Sequence, residues 1–200
     1  MIYNQFAKPE GLAGKFAGMF MERENRGLND WTLSFLDIGK GDRVLEVGFG
    51  SGSALKKIAT LESEALYGID PSEAMVEMVL KKLNDQSCSQ QIGIFHGDAC
   101  QLLHFQNPLD KIYAVNNITF WDRPVEILRH LRTLLSEKGK IALTIVPHEK
   151  EATDDTTEVL GGQLQNLLVK AGFQNVWIHY KSEKPNDAVC VTGMKNDMIG

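Results

Sequence analysis

Arg43-Val44-Leu45-Glu46-Val47-Gly48-Phe49-Gly50-Ser51-Gly52-Ser53 concentrates more chemistry than any other stretch of this chain. An apolar run ends in an acid, a glycine-rich turn follows at once, and a helix-like pattern comes after the turn. In an α/β sheet that order sets backbone amides at the carboxyl end of a buried strand, where small ligands bind. Glycines there permit a sharp turn and let a ligand approach the backbone closely.

The spacing Gly48-x-Gly50-x-Gly52 departs from the dinucleotide fingerprint, which wants glycine at its first, third and sixth positions. Ser53 holds the sixth. Glu46 also argues against a pyrophosphate, because a carboxylate beside the turn would repel it. It favours a cationic ligand, and S-adenosylmethionine fits, with its sulfonium and α-amino group. The alternative is a solvated acid at a strand end. Asp70 follows a second apolar run, and an acid there accepts hydrogens from ribose hydroxyls. NAD and S-adenosylmethionine share that ribose, so Asp70 does not separate them. Asp70-Pro71-Ser72-Glu73 also has the spacing of a helix capping box, with proline at the first helical position.

Further along, Met75 can pack on an adenine face or in the core. In Gly97-Asp98-Ala99, the carboxylate can accept from an adenine amino group and the Ala99 N–H can donate to a ring nitrogen; the alternative is a cap on a short turn. Asn116-Asn117-Ile118-Thr119-Phe120-Trp121 brings two amides and two aromatics to the middle of the sheet's carboxyl edge, where Asn117 and Trp121 can line a substrate pocket. Trp121 can equally pack beneath the next helix. His148 follows the fifth strand and can face that pocket. His148 and Tyr3 are candidates for a general base, and no residue stands out as catalytic.

The elements that must position these residues alternate. Val44 to Val47, Ala65 to Ile69, Ile92 to Phe95, Lys111 to Val115 and Ile141 to Val146 read as strands. Helical spacing follows the glycine turn at Leu55, Ile58 and Ala59, and recurs from Met75 to Leu83, Val125 to Leu135 and Val159 to Val169. Lys138-Gly139 reads as the glycine stop of the third of these helices. Alternation of this kind predicts a mainly parallel sheet with helices on both faces. Val176 to Tyr180 and Ala188 to Thr192 break it. The residues between them are too few for a helical crossover, so this pair must be antiparallel. Pro9 to Arg26 and Leu28 to Ile38 read as two helices placed before the sheet.

Composition bounds the rest. The 200 residues suit one domain, with 43% hydrophobic and 24% charged residues. A net charge of −5 counts against a large nucleic-acid footprint. Cys88, Cys100 and Cys190 are far apart, without zinc-ligand spacing, so no metal site is expected and the thiols suit a reducing cytoplasm. No apolar run reaches the length of a bilayer span. The expectation is a cytoplasmic monomer or homodimer acting on a small-molecule acceptor, without nucleic-acid or membrane partners.

Together these motifs resemble the class I S-adenosylmethionine-dependent methyltransferases, most closely the UbiE-like group called methyltransferase type 11. Val44 to Gly52 is similar to the first motif of that family, Gly68-Ile69-Asp70-Pro71-Ser72 to the second, and Gly97-Asp98-Ala99 to the third. Asn116 through Trp121 and on to Lys140 is similar to the fourth and fifth. The resemblance spans about residues 28 to 195. It implies a Rossmann-like three-layer α/β sandwich whose seven strands run 3-2-1-4-5-7-6 with strand 7 antiparallel. Residues 39–195 would form the cofactor-binding core and residues 1–38 an N-terminal helical cap. It also implies that Glu46, Gly48, Gly50 and Gly52 hold the methionine end of the cofactor. Asp70 would hold the ribose, Asp98 and Ala99 the adenine, and Asn116 would lie near the methionyl group.

Leu135-Ser136-Glu137-Lys138-Gly139-Lys140 departs from the family's usual L-K-P-G-G. There is no N-P-P-Y-like motif at Asn116-Asn117-Ile118-Thr119, which counts against methylation of nucleic-acid base amines. The competing readings are a methyltransferase acting on protein or RNA, an NAD-dependent oxidoreductase, and a non-catalytic cofactor-binding module. Ser53, Glu46 and the terminal hairpin oppose the oxidoreductase.

Overall fold

The computed structural model describes residues 27–61, 63–84, 91–102, 105–147, 152–184 and 186–196. Seven strands form one sheet: β1 (Arg43–Val47), β2 (Ala65–Asp70), β3 (Gln91–His96), β4 (Leu109–Val115), β5 (Leu135–Ile145), β6 (Gln174–Lys181) and β7 (Ala188–Met194). Their order is β3-β2-β1-β4-β5-β7-β6. All neighbours pair in parallel except β7, which runs antiparallel to both β5 and β6. The expected order and the expected hairpin are both present.

The helices are α1 (residues 27–36), α2 (Ser53–Ile58), α3 (Glu73–Asn84), α4 (Pro124–Leu134) and α5 (Asp154–Lys170). The two-residue period of the strands sorts side chains into two apolar layers. Leu45, Val47, Ile112 and Ala114 face one way, packed with Leu128 and Leu131 of α4 and Leu164 and Leu168 of α5. Val44, Leu66, Tyr113 and Val115 face the other way, with Leu28, Leu33 and Leu36 of α1, Leu55 and Ile58 of α2 and Val79 of α3. Glu46 has the parity of Val44, so the pleat turns it into this second layer rather than out to water.

The structure differs from the sequence reading at β5. The helix expected to reach Lys138-Gly139 ends at Leu134, and Leu135 already pairs with Leu109 of β4. The register then shifts, and pairing resumes at Lys111 and Lys140. Lys138 takes a left-handed φ of 67°. Its amide donates to the Lys195 carbonyl at 2.8 Å, and the Lys195 amide donates to the Gly139 carbonyl at 2.9 Å. The glycine therefore serves a turn inside a strand, held by the chain beyond β7. Of the two N-terminal helices expected, residues 9–26 lie outside the described residues, and the second is α1.

Candidate functional site

Gly48, Gly50 and Gly52 follow β1 with φ of 74°, 51° and 75°. Other residues rarely adopt such angles, and at two of the three positions packing also excludes a side chain. A Cβ on Gly52 would stand 2.5 Å from Val79 Cγ2, and one on Gly48 would stand 1.8 Å from Asn117 Nδ2. Gly50 has open space around its Cβ direction. The turn is thus packed at both ends and open at its middle. The Gly48 amide donates to the Ile69 carbonyl of β2 at 2.8 Å, and the Gly52 amide closes the turn onto Phe49 O at 2.8 Å. Lys82 Nζ of α3 donates to Ser51 O at 2.9 Å.

Glu46 lies beneath this turn and is only 4% exposed. In register across the sheet it stands between Gly68 of β2 and Tyr113 of β4. Burial raises its pKa from 4.5 to about 8; the nearby Tyr113 hydroxyl and the Leu55 amide of α2 pull it down, and the Asp70 charge pushes it up. Glu46 Oε2 and the Tyr113 hydroxyl nevertheless stay buried without a hydrogen-bond partner of good geometry. The reading of a solvated acid at a strand end does not hold: the acid is in an apolar layer, and the protein's own groups leave it mostly protonated at neutral pH. An opposite charge nearby favours the ionised form.

Asp70 ends β2, 6% exposed. Its Oδ2 accepts from the Gly50 amide at 2.8 Å and its Oδ1 from the Ser72 amide at 2.9 Å. The carboxylate therefore staples the apex of the glycine turn to the start of the next connection. It is not the N-cap of α3, because that helix begins at Glu73. Burial raises its pKa while the two amides lower it. Each oxygen keeps a second lone pair for a ligand.

At the end of β4, Asn116 adopts a left-handed φ of 50°. Its amide donates to Thr144 O at 2.8 Å, and its Oδ1 accepts from the Val146 amide at 2.9 Å. Asn117 follows, half-buried, with its Oδ1 accepting from Trp121 Nε1. Trp121 itself is 8% exposed and belongs to the apolar layer beneath α4. Its ring packs in that layer, as one of its two expected readings has it, after the short helical turn Ile118–Phe120.

Asp98 is exposed at the end of β3 and starts the turn Ala99–Gln101, where its amide donates to Gln101 Oε1 at 2.7 Å. Ala99 is buried. Met75 is half-buried against the second layer. Tyr3 and His148 lie outside the described residues. The structure thus gathers Glu46, Gly48, Gly50, Gly52, Asp70, Asn116 and Asn117 around the neighbouring ends of β1, β2 and β4, with Asp98 and Ala99 further along the same edge.

Three residues escaped the sequence reading. Asn29 Nδ2 of α1 donates to Ser53 Oγ at the start of α2, at 3.1 Å. Thr32 Oγ1 lies 2.6 Å from Thr144 Oγ1 in the interior. Tyr113 is fully buried opposite Glu46. A signal did exist for the first two: Asn29 and Thr32 share a helical face with Leu28, Leu33 and Leu36, and polar groups on an apolar face need partners.

A parallel sheet with a closing antiparallel strand and a glycine turn after its first strand define a nucleoside-binding α/β enzyme. A family model described as a methyltransferase domain matches residues 44–139. Over 180 residues the chain is 33% identical to a Bacillus subtilis protein named uncharacterized methyltransferase YdaC, covering 90% of this chain and 97% of that one. In fold it is similar to a SAM-dependent methyltransferase from Aquifex aeolicus, with a TM-score of 0.66, 19% identity, and 83% and 88% of the two chains covered. It is also similar to phosphoethanolamine N-methyltransferase 2 of Haemonchus contortus, with a TM-score of 0.68 and 15% identity over 86% of this chain and 53% of that one. The chain belongs to the class I S-adenosylmethionine-dependent methyltransferases. It is an enzyme of that class, and S-adenosylmethionine is its cofactor.

Proposed function

We propose that the chain methylates a small-molecule acceptor, and that Glu46, Asp70, Asn117 and the turn from Gly48 to Gly52 hold the methyl donor. The observation that carries the site assignment is the pair of polar groups flanking Gly48. Glu46 brings an unpartnered carboxyl oxygen from the α2 side. Asn117 brings its amide NH₂ from the β4 side. An amino-acid end carries an ammonium and a carboxylate, so it needs one acceptor and one donor. The open space at Gly50 allows close approach to the backbone. These features fit S-adenosylmethionine.

In this reading Asp70 accepts from the ribose hydroxyls with the lone pairs that Gly50 and Ser72 leave free. Asp98, Ala99 and Met75 meet the adenine, and Asn116 fixes the end of β4 near the methionyl group. The cofactor supplies an electrophilic methyl on a sulfonium. The chain's contribution is alignment, which is worth up to about 7–11 kcal/mol in favourable cases. Two observations support a small acceptor: the charge of −5 disfavours polyanions, and residues 146–153 make a short connection from β5 to α5, without an inserted substrate domain there. The likeness in fold to a phosphoethanolamine methyltransferase agrees with it.

Calorimetry with S-adenosylhomocysteine and with NADH, followed by labelled methyl transfer to metabolite, RNA and protein fractions, tests the reading. Binding of the first ligand alone and label in the metabolite fraction are expected. Label confined to RNA or protein would overturn the small-molecule assignment.

A further inference from the structure

We infer that Trp121 is a positioning residue of the cofactor site, acting through the side-chain amide of Asn117; this rests on the cofactor reading above. An indole N–H can only donate, so the Asn117 atom that faces Trp121 Nε1 at 2.5 Å is the carbonyl oxygen. The NH₂ group must then occupy the other end of the amide. That end lies against Gly48, where a Cβ would stand 1.8 Å from Nδ2.

Both ends of this relay are fixed. The Trp121 ring is held in the apolar layer with Ile118, Leu128 and Leu131. The backbone before Asn117 is fixed by the left-handed Asn116, whose amide donates to Thr144 of β5 and whose side chain accepts from the Val146 amide just beyond it. The Asn117 amide N–H groups meet no acceptor among the described residues. Trp121 thus decides which end of the amide the glycine turn presents to a ligand. With the indole in place it is a donor, suited to a carboxylate. Without it the amide can flip and offer an oxygen that repels one. The discrimination at this point is therefore set by a residue that touches no ligand.

Trp121→Phe keeps most of the buried ring and removes the N–H, and Asn117→Ala removes the amide. Both variants, and the double variant, are titrated by calorimetry with S-adenosylhomocysteine and with 5′-methylthioadenosine, which lacks the amino-acid end. Trp121→Phe is expected to weaken S-adenosylhomocysteine roughly two- to twelvefold, the range of one net hydrogen bond. It should change methylthioadenosine affinity less than twofold. The double variant should bind no worse than Asn117→Ala. A purely structural role would weaken both ligands alike, or add to the effect of Asn117→Ala, and either result would overturn the inference. Wild-type protein that bound neither compound would overturn the cofactor reading, and the inference with it.

Discussion

Glu46→Gln keeps the shape of a buried side chain and removes its charge. In the folded protein burial raises the Glu46 pKa from 4.5 to about 8. The native state therefore holds the proton more tightly than the unfolded chain does. Its contribution to stability is complete below about pH 4.5 and is lost as the pH rises through about 8. At about 1.4 kcal/mol for each tenfold change in proton affinity, the ceiling on that loss is about 5 kcal/mol. That is a large part of the roughly 5–15 kcal/mol that stabilises a typical domain. Asp70, also raised by burial, adds a loss of the same sign. Urea denaturation at pH 5, 6.5 and 8.5 measures the effect. Glu46 alone should take up to about 1.4 kcal/mol of stability per pH unit from wild type up to about pH 8, with Asp70 adding to it at the acid end. Glu46→Gln should lose much less, so that it is the more stable protein at pH 8.5. Parallel pH curves for the two proteins would refute the argument, because they would show that Glu46 ionises in the native state as freely as in water.

Asp70→Ala removes the acceptor of the Gly50 and Ser72 amides, each a charged hydrogen bond of about 1.5–3 kcal/mol. Affinity for S-adenosylhomocysteine should fall at least tenfold by calorimetry; a folded variant with wild-type affinity would remove Asp70 from the site. Gly52→Ala should cost about 1–2 kcal/mol for its left-handed backbone and about 1–3 kcal/mol for the contact with Val79. In a Val79→Ala background, Gly52→Ala should cost the first part alone, read from thermal midpoints against Val79→Ala. Thr32→Val removes the bond to the Thr144 hydroxyl, which keeps the Cys190 thiol as a partner, and should cost about 0.5–1.5 kcal/mol in urea denaturation. The Thr32→Val/Thr144→Val pair should cost less than the single change.

The alternation of strands and helices was legible in the residues, because period 2 and period 3.6 are local properties. So was the closing hairpin, since the short link after Lys181 forbids a crossover. The end of α4 was not. Leu134-Leu135 continues the helical spacing, and only pairing with Leu109 of β4, distant in sequence, pulls Leu135 into a strand. The site shows the same division. The glycine turn and the acids at Glu46 and Asp70 stand out by type and spacing. The proton affinity of Glu46 depends on its burial and on Tyr113 from β4 and Leu55 from α2, which no local pattern couples to it. The Asn117 amide and Trp121 were visible as residues. Which of them belongs to the core was settled by a turn that folds the ring under the strand.

Helix α1 bonds through Asn29 to Ser53, next to the glycine turn, and through Thr32 to Thr144 near the end of β5. Asp30 also pairs with Lys57 of α2. These ties join two segments that the sheet itself keeps apart by the width of β4. Local opening in proteins proceeds in cooperative units. Release of α1 and loosening of the turn are then one event, and the amides of α1 and of residues 52–56 should exchange their hydrogens with a common free energy.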